Sequence, residues 1–428
     1  MAIVACRRLV FQVERTSKLR HPVETTPEEQ MANTQFRTAS VATENVHAAT
    51  EPAPPARRRE WFPGLDGLRG YLLLIVFSVH LPPPFIRPLH GGYIVMEVFF
   101  VLSGFLITTI LLREFEQKGV IRLRLFYIRR AARLLPAVVL FAAIVYALTY
   151  VDPFLKLHGA DNRRHALSSL SYLYNWIAIY SFNRHSGAPG FVAHLWSLSV
   201  EEQFYFVWPC ALWLILRRVK RRANGSLRDA ARALVPWLVG AIVLSNVLRT
   251  LIGYVFENAS SYTRANWGTD TRASGMLLGA LAAVIRLGIP ELYARFCRFL
   301  PVLGCIALAI WIPGIWLYPL QPNPFPFAGG FLLSEICALM FVLCLVERSI
   351  RPFNWVCELR FMQWIGRVSY GGYVIHFLLV GRFYYYSSPF RFEYPTVLAL
   401  TLVLAGLSFH FVELPISKKV RARFAAGG

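Results

Sequence analysis

Gly64-Leu-Asp66-Gly-Leu-Arg69-Gly-Tyr-Leu-Leu-Leu-Ile-Val-Phe-Ser-Val-His80 sets an arginine and a histidine eleven residues apart in an otherwise apolar run. Eleven residues are about three helical turns, so both side chains project from one face, with His80 about 16 Å further along the axis. A histidine at this depth can take a proton from a hydroxyl near neutral pH, and an arginine can hold a phosphate or polarise a carbonyl. The alternative is snorkelling by Arg69 and a structural hydrogen bond from His80, although an apolar run needs neither group. In the next apolar run Glu97 and Gly104 share a face at i, i+7, and Ser103-Gly104 permits close approach of a second helix. Phe126-Tyr-Ile-Arg129-Arg130-Ala-Ala-Arg133 follows. Arg129 and Arg130 precede Arg133 by four and three residues, so one helical turn fans three guanidinium groups. That pattern suits phosphates, and it also suits plain topology signalling. His194, Ser197 and Glu201 form a stripe at i, i+3, i+7, beside which Glu202 points elsewhere. Arg272, in Thr269-Asp-Thr-Arg, and His376, in Tyr373-Val-Ile-His, complete the set, His376 fitting a satisfied core histidine equally well. Charged residues in such runs cost roughly 2.5–3.5 kcal/mol on insertion scales, which makes each a functional candidate.

The elements that must position these groups are membrane helices. Charged residues are 16% of the 428, apolar residues 56% and aromatic residues 14%, where about 25% charged is usual in soluble proteins. Mean hydropathy over the whole chain is +0.45. Ten apolar runs, each long enough to cross ~30 Å of hydrocarbon, occupy 66–82, 92–112, 134–150, 195–216, 233–253, 270–288, 299–318, 329–347, 366–386 and 396–415. Residues 167–182 are shorter and more polar and read as an interfacial or re-entrant helix. The even-numbered connections and the C-terminus carry 25 Lys/Arg against 7 in the odd-numbered ones, which places both termini in the cytosol. The expected fold is an all-α polytopic membrane protein of about ten transmembrane helices, in the cytoplasmic membrane of a bacterium. Residues 1–60 hold nine Lys/Arg and seven Asp/Glu with little apolar content and read as a disordered cytosolic tail. There is no signal-peptide h-region, and Met31 is an alternative start. The membrane domain is expected over 61–423, with 424–428 a short C-terminal tail.

A net charge of +21 invites a nucleic-acid partner, but the basic residues fall in short clusters between apolar runs, which excludes one. Seven scattered Cys, with no Cys-x-x-Cys and no paired His, exclude a disulfide framework and a zinc site; no metal is expected.

Seven blocks in order carry a family resemblance: LDGLRG with His80, EVFFVLSGFLIT, FYIRRAARLLP, HLWSLSVEEQFYFVWP, TDTRASGMLLGALAA, IGRVSYGGYVIH and FVELP. Together they resemble the acyltransferase-3 family of integral membrane acyltransferases over about 64–423. The resemblance implies that Arg69 and His80 are its Arg-x10-His pair, with His80 as the catalytic histidine. It puts the Arg-x-x-Arg motif of the acyl-donor side on Arg130 and Arg133, and the acidic residue of the Ser-Val-Glu block on Glu201. Val95-Met-Glu97 departs from the family's usual Gly-Val-Asp.

The expected reaction is O-acyl transfer, most readily of acetyl, from cytosolic acyl-CoA to a hydroxyl of a surface glycan, glycolipid or small molecule. No cofactor is bound; acyl-CoA is a co-substrate. His80 is the expected general base, with Arg69 and Glu201 as its catalytic companions. Arg129, Arg130 and Arg133 are donor-binding. Glu97, Ser103, His194, Ser197, Arg272 and His376 are supporting or acceptor-side residues. Direct transfer and an acyl-histidine intermediate both fit. No hydrolase-like domain follows residue 423 in this sequence, and the membrane domain is expected to act alone or pass its product to another protein. A secondary transporter would use the same charges but calls for an internal repeat, which this sequence lacks. A non-catalytic sensor leaves the intramembrane charges without a purpose.

Overall fold

Every backbone amide and carbonyl in hydrocarbon must be paired, and apolar runs of this length suit helices, which pair their groups internally. The computed structural model places a helix on each of them. It describes residues 61–425 except 82–88, 90, 158, 184–190, 223–225, 256–258, 318–324 and 387–392; the tail expected over 1–60 lies outside the described residues. The ten helices are α1 (Pro63–Val79), α2 (Val95–Lys118), α3 (Leu123–Val151), α4 (Trp196–Arg222), α5 (Leu227–Thr250), α6 (Thr269–Gly288), α7 (Leu300–Leu317), α8 (Phe331–Glu347), α9 (Arg360–Tyr386) and α10 (Glu393–Ser408). Among the described residues there is no β-strand.

Among the described residues, six segments are long and apolar enough to cross a membrane: Gly92–Lys118, Leu123–Val151, Leu227–Val255, Leu300–Leu317, Pro326–Glu347 and Tyr394–Phe424. A seventh is Ser261–Gly288, if Pro290–Cys297, bent from it by 111°, is counted with it. The chain is therefore a multi-pass membrane protein. The predicted runs outside this set fall on α1, α4 and α9. α1 has 17 residues, and α4 and α9 carry several of the polar side chains named above. Residues 167–182 are split between Gly159–Ser169 and Tyr174–Asn183, with Tyr172 between them at φ +54°. Helices of 11 and 10 residues are each too short to cross the hydrocarbon.

Glycines set the two tightest crossings. A Cβ on Gly104 would lie 1.8 Å from the Met276 carbonyl oxygen, and one on Gly279 2.0 Å from that of Val101, so α2 and α6 pack backbone to backbone. Between α1 and α9, a Cβ on Gly366 would lie 1.7 Å from the Asp66 carbonyl oxygen. The same crossing presses α1 against the short helix Arg351–Cys357, where a Gly67 Cβ would lie 1.7 Å from the Cys357 oxygen. With no hydrophobic drive between helices in lipid, such small-residue contacts are what hold them together. The glycines around Arg69 thus fix α1 against α9, the helix that carries His376.

Candidate active site

His80 closes α1, just past its last helical turn, and is half-buried. Its Nδ1 lies 2.8 Å from the Val76 carbonyl oxygen and 3.2 Å from Nε2 of His376 on α9. A third histidine joins them: the 3₁₀ turn Ala193–Leu195 at the start of α4 brings the His194 ring to 5.0 Å from that of His376. Phe377 stacks on His194 and meets His80 edge-on. The Tyr373 hydroxyl donates to the His194 carbonyl oxygen at 2.6 Å and lies 2.5 Å from the Ser197 hydroxyl. His194, Ser197 and His376 thus gather around His80 through Tyr373, which the sequence analysis did not single out. Among the described residues no three His, Cys, Asp or Glu side chains are placed to hold a metal ion.

Three turns down α1, Arg69 lies 3.4 Å from Asp66. Arg133, on α3, stands within electrostatic reach of Arg69, Arg130, Asp66 and Tyr205. Glu413 also lies within its electrostatic reach, and among the described residues no carboxylate forms an ion pair with it. Arg130 is committed elsewhere. Its Nη2 and Nε donate to the two carboxylate oxygens of Glu202 at 2.6 and 3.1 Å, and its guanidinium lies 3.1 Å from the centre of the Tyr205 ring. Arg129 points to the exposed surface. The three arginines of one helical turn therefore differ: one is neutralised, one is peripheral, and Arg133 faces Arg69. Glu201 accepts hydrogen bonds from the hydroxyls of Ser103 and Tyr205, and none of its hydrogen bonds runs to His80. The stripe His194, Ser197, Glu201 accordingly divides, its first two members joining the histidines and the third joining α2.

Glu97 and Arg272 form a buried ion pair at 2.6 Å between α2 and α6. Beside it, Arg249 on α5 pairs with Glu335 on α8 at 2.8 Å, and the Ser274 hydroxyl donates to the same Glu335 oxygen at 2.5 Å. All four charged side chains are at most 2% exposed, and Phe331 lies under both guanidinium groups at 4.3 and 5.0 Å. Arg249 and Glu335 were not singled out from sequence. Their signal was present, since Arg249 is the lone charge of the run 233–253 and Glu335 is a charge in the interior of 329–347. Four charges summing to zero, closed to solvent, form a bracket joining four helices, and among the described residues none of them is hydrogen-bonded to a histidine.

A family profile described as an acyltransferase domain matches residues 62–410. A putative peptidoglycan O-acetyltransferase of Bacillus subtilis is 31% identical over 372 residues, which cover 84% of this chain and 55% of the relative. A peptidoglycan O-acetyltransferase of Listeria monocytogenes is 30% identical over 376 residues, 84% of this chain and 56% of the relative. A putative O-acetyltransferase of Staphylococcus aureus is 29% identical over 379 residues, covering 85% and 58%. The chain spans just over half the length of these curated relatives. No solved structure is matched.

Proposed function

The chain belongs to this acyltransferase-domain family, and from that premise we propose that it moves an acetyl group from cytosolic acetyl-CoA to a hydroxyl of a cell-wall glycan outside the membrane. The observation that carries the proposal is the pairing of two ends on α1. At one end, Arg69 and Arg133, which among the described residues has no ion-pair partner, form a spot attractive to an anion such as the diphosphate of coenzyme A. At the other, about 16 Å along the helix, stands His80. The pantetheine arm between diphosphate and sulfur is twelve single bonds, as long as four extended residues, or about 14 Å. Phosphates held at Arg69 and Arg133 would therefore put the thioester near His80. Leu72, Leu73 and Val76, on the face between the two ends, are buried and must swing aside to admit the arm.

His80 acts as general base. It takes the proton of the acceptor hydroxyl as that oxygen attacks the thioester carbonyl; the carbon–sulfur bond breaks, and the thiolate leaves and is protonated. Glu202 holds Arg130 in place, and Glu201 fixes the Ser103–Tyr205 contact beside it, so both carboxylates support the donor end. The relatives' names favour a peptidoglycan hydroxyl as acceptor. Ten spans with both termini cytosolic complete the proposal, with α1, α4 and α9 crossing on the strength of their packing against the other helices.

The test uses the purified full chain in liposomes with [14C]acetyl-CoA on one side and soluble peptidoglycan fragments on the other. Free thiol and labelled glycan should appear together, each requiring the other substrate. Thiol release absent with every acyl-CoA supplied would remove coenzyme A as donor.

A further inference from the structure

We infer that His376 is a positioning residue that holds His80 in a single tautomer, with its hydrogen on Nδ1 and the lone pair of Nε2 free for the acceptor hydroxyl. The use of that lone pair rests on the proposed function; the tautomer does not. The assignment follows from what each neighbour can do. His376 Nδ1 lies 2.6 Å from the Tyr373 carbonyl oxygen. A carbonyl only accepts, so this nitrogen carries a hydrogen and the neutral ring presents Nε2 as an acceptor. That acceptor is 3.2 Å from His80 Nδ1, whose other neighbour at 2.8 Å, the Val76 carbonyl oxygen, also only accepts. Two acceptors facing one nitrogen require a hydrogen there, shared between them. The second nitrogen of His80 is then left unprotonated.

The surroundings keep His376 in this pose. Its ring is fully buried and sits between the rings of His80 and His194, at 5.0 Å from each. His194 is anchored to α9 by its own Nε2, which donates to the Val374 carbonyl oxygen at 3.0 Å. The Tyr373 hydroxyl anchors the same stretch of α9 to the start of α4. Among the described residues no Asp or Glu is hydrogen-bonded to either ring, so the group that orients the base is a neutral imidazole in the place where a carboxylate often stands. When His80 takes the proton at Nε2, its Nδ1–H becomes a charge-assisted donor to His376, and that bond strengthens as transfer proceeds. The contribution of His376 therefore lies in turnover and not in donor binding.

Two measurements on the reconstituted full chain test this. In protein carrying [13C,15N]histidine, the His80 signals, identified by their loss in His80→Ala, should report the Nδ1–H tautomer at neutral pH; the Nε2–H tautomer overturns the inference and needs no variant of His376. In kinetics, His376→Phe keeps a ring but lacks the acceptor, and should lower kcat by about 10–100-fold, the worth of a hydrogen bond to a charged group, with the KM for acetyl-CoA unchanged. His376→Gln, whose amide oxygen can replace Nε2, should recover most of that loss. Equal loss in both variants, with the His80 tautomer unchanged, would make His376 a packing residue. If His80→Ala retains transfer while the tautomer is as assigned, it is the proposed base that fails and not the positioning.

Discussion

Cutting one arm of the buried charge bracket should cost far more than removing the whole pair. Arg249 and Glu335 are 2% and 0% exposed, 2.8 Å apart, and bring α5 to α8. Arg249→Met leaves two carboxylates, Glu335 and Glu97, to share Arg272. Glu335→Leu leaves two guanidinium groups over Phe331 with only Glu97 to balance them. Breaking a buried pair by removing one partner costs about 3–5 kcal/mol, whereas replacing both with apolar side chains of similar volume is near neutral or stabilising. The double variant keeps the neutral Glu97–Arg272 pair. It should therefore lie within about 1 kcal/mol of the wild type and show a coupling of about 3 kcal/mol or more against the sum of the single variants. The assay is reversible unfolding in mixed micelles of rising SDS fraction, followed by tryptophan fluorescence, for all four members of the cycle. Single variants each within about 1 kcal/mol of wild type would refute the reasoning, because the bracket would then not hold two ionised pairs. A double variant as unstable as the sum would refute it too, by showing that the contacts act independently.

His80→Ala should accumulate in the membrane and bind acetyl-CoA as the wild type does, yet lose transfer by roughly 10²–10⁴-fold; near-full transfer would move the chemistry elsewhere. Arg133→Ala should raise the KM for acetyl-CoA by about 10–100-fold, as one charged hydrogen bond to phosphate is worth, with the KM for acceptor unchanged in the same initial-rate series. Gly366→Ala, whose new methyl would meet the Asp66 backbone, should spread α1 from α9 and abolish transfer without touching any reacting group. A variant that keeps full rate would show that the crossing relaxes freely. Cysteines introduced at Glu60 and Val420 should be labelled only from the cytosolic side, and those at Ala160 and Ser260 only from outside; cytosolic labelling at position 260 would defeat the ten-span arrangement.

What was legible in the sequence is what a single helix determines. Arg69 and His80 share a face because eleven residues are close to three turns, and no partner helix is needed to know it. The charges were legible as costly, and Ser103-Gly104 as a place of close approach, which the structure shows against Met276. What was not legible is which helix stands opposite. His80 and His376 are 296 residues apart, and their contact depends on α1 crossing α9 at Gly366. Periodicity is of little help, since a helix that is apolar all round announces no buried face.

The three arginines of α3 show where spacing runs out. Spaced at i, i+1 and i+4, they read as one phosphate-binding fork. Packing gives each a different environment, because α4 gives Arg130 both a carboxylate partner, Glu202, and the face of Tyr205, whereas Arg133 has Tyr205 within electrostatic reach but no carboxylate of α4 paired to it. An arginine already held by a carboxylate and an aromatic face has few donors to offer a ligand. One set among like charges, with carboxylates near it but no ion pair among the described residues, keeps donors that an arriving anion can take. The proposed donor end thus rests less on the motif than on the member of it that stands beside Arg69 without an ion pair among the described residues.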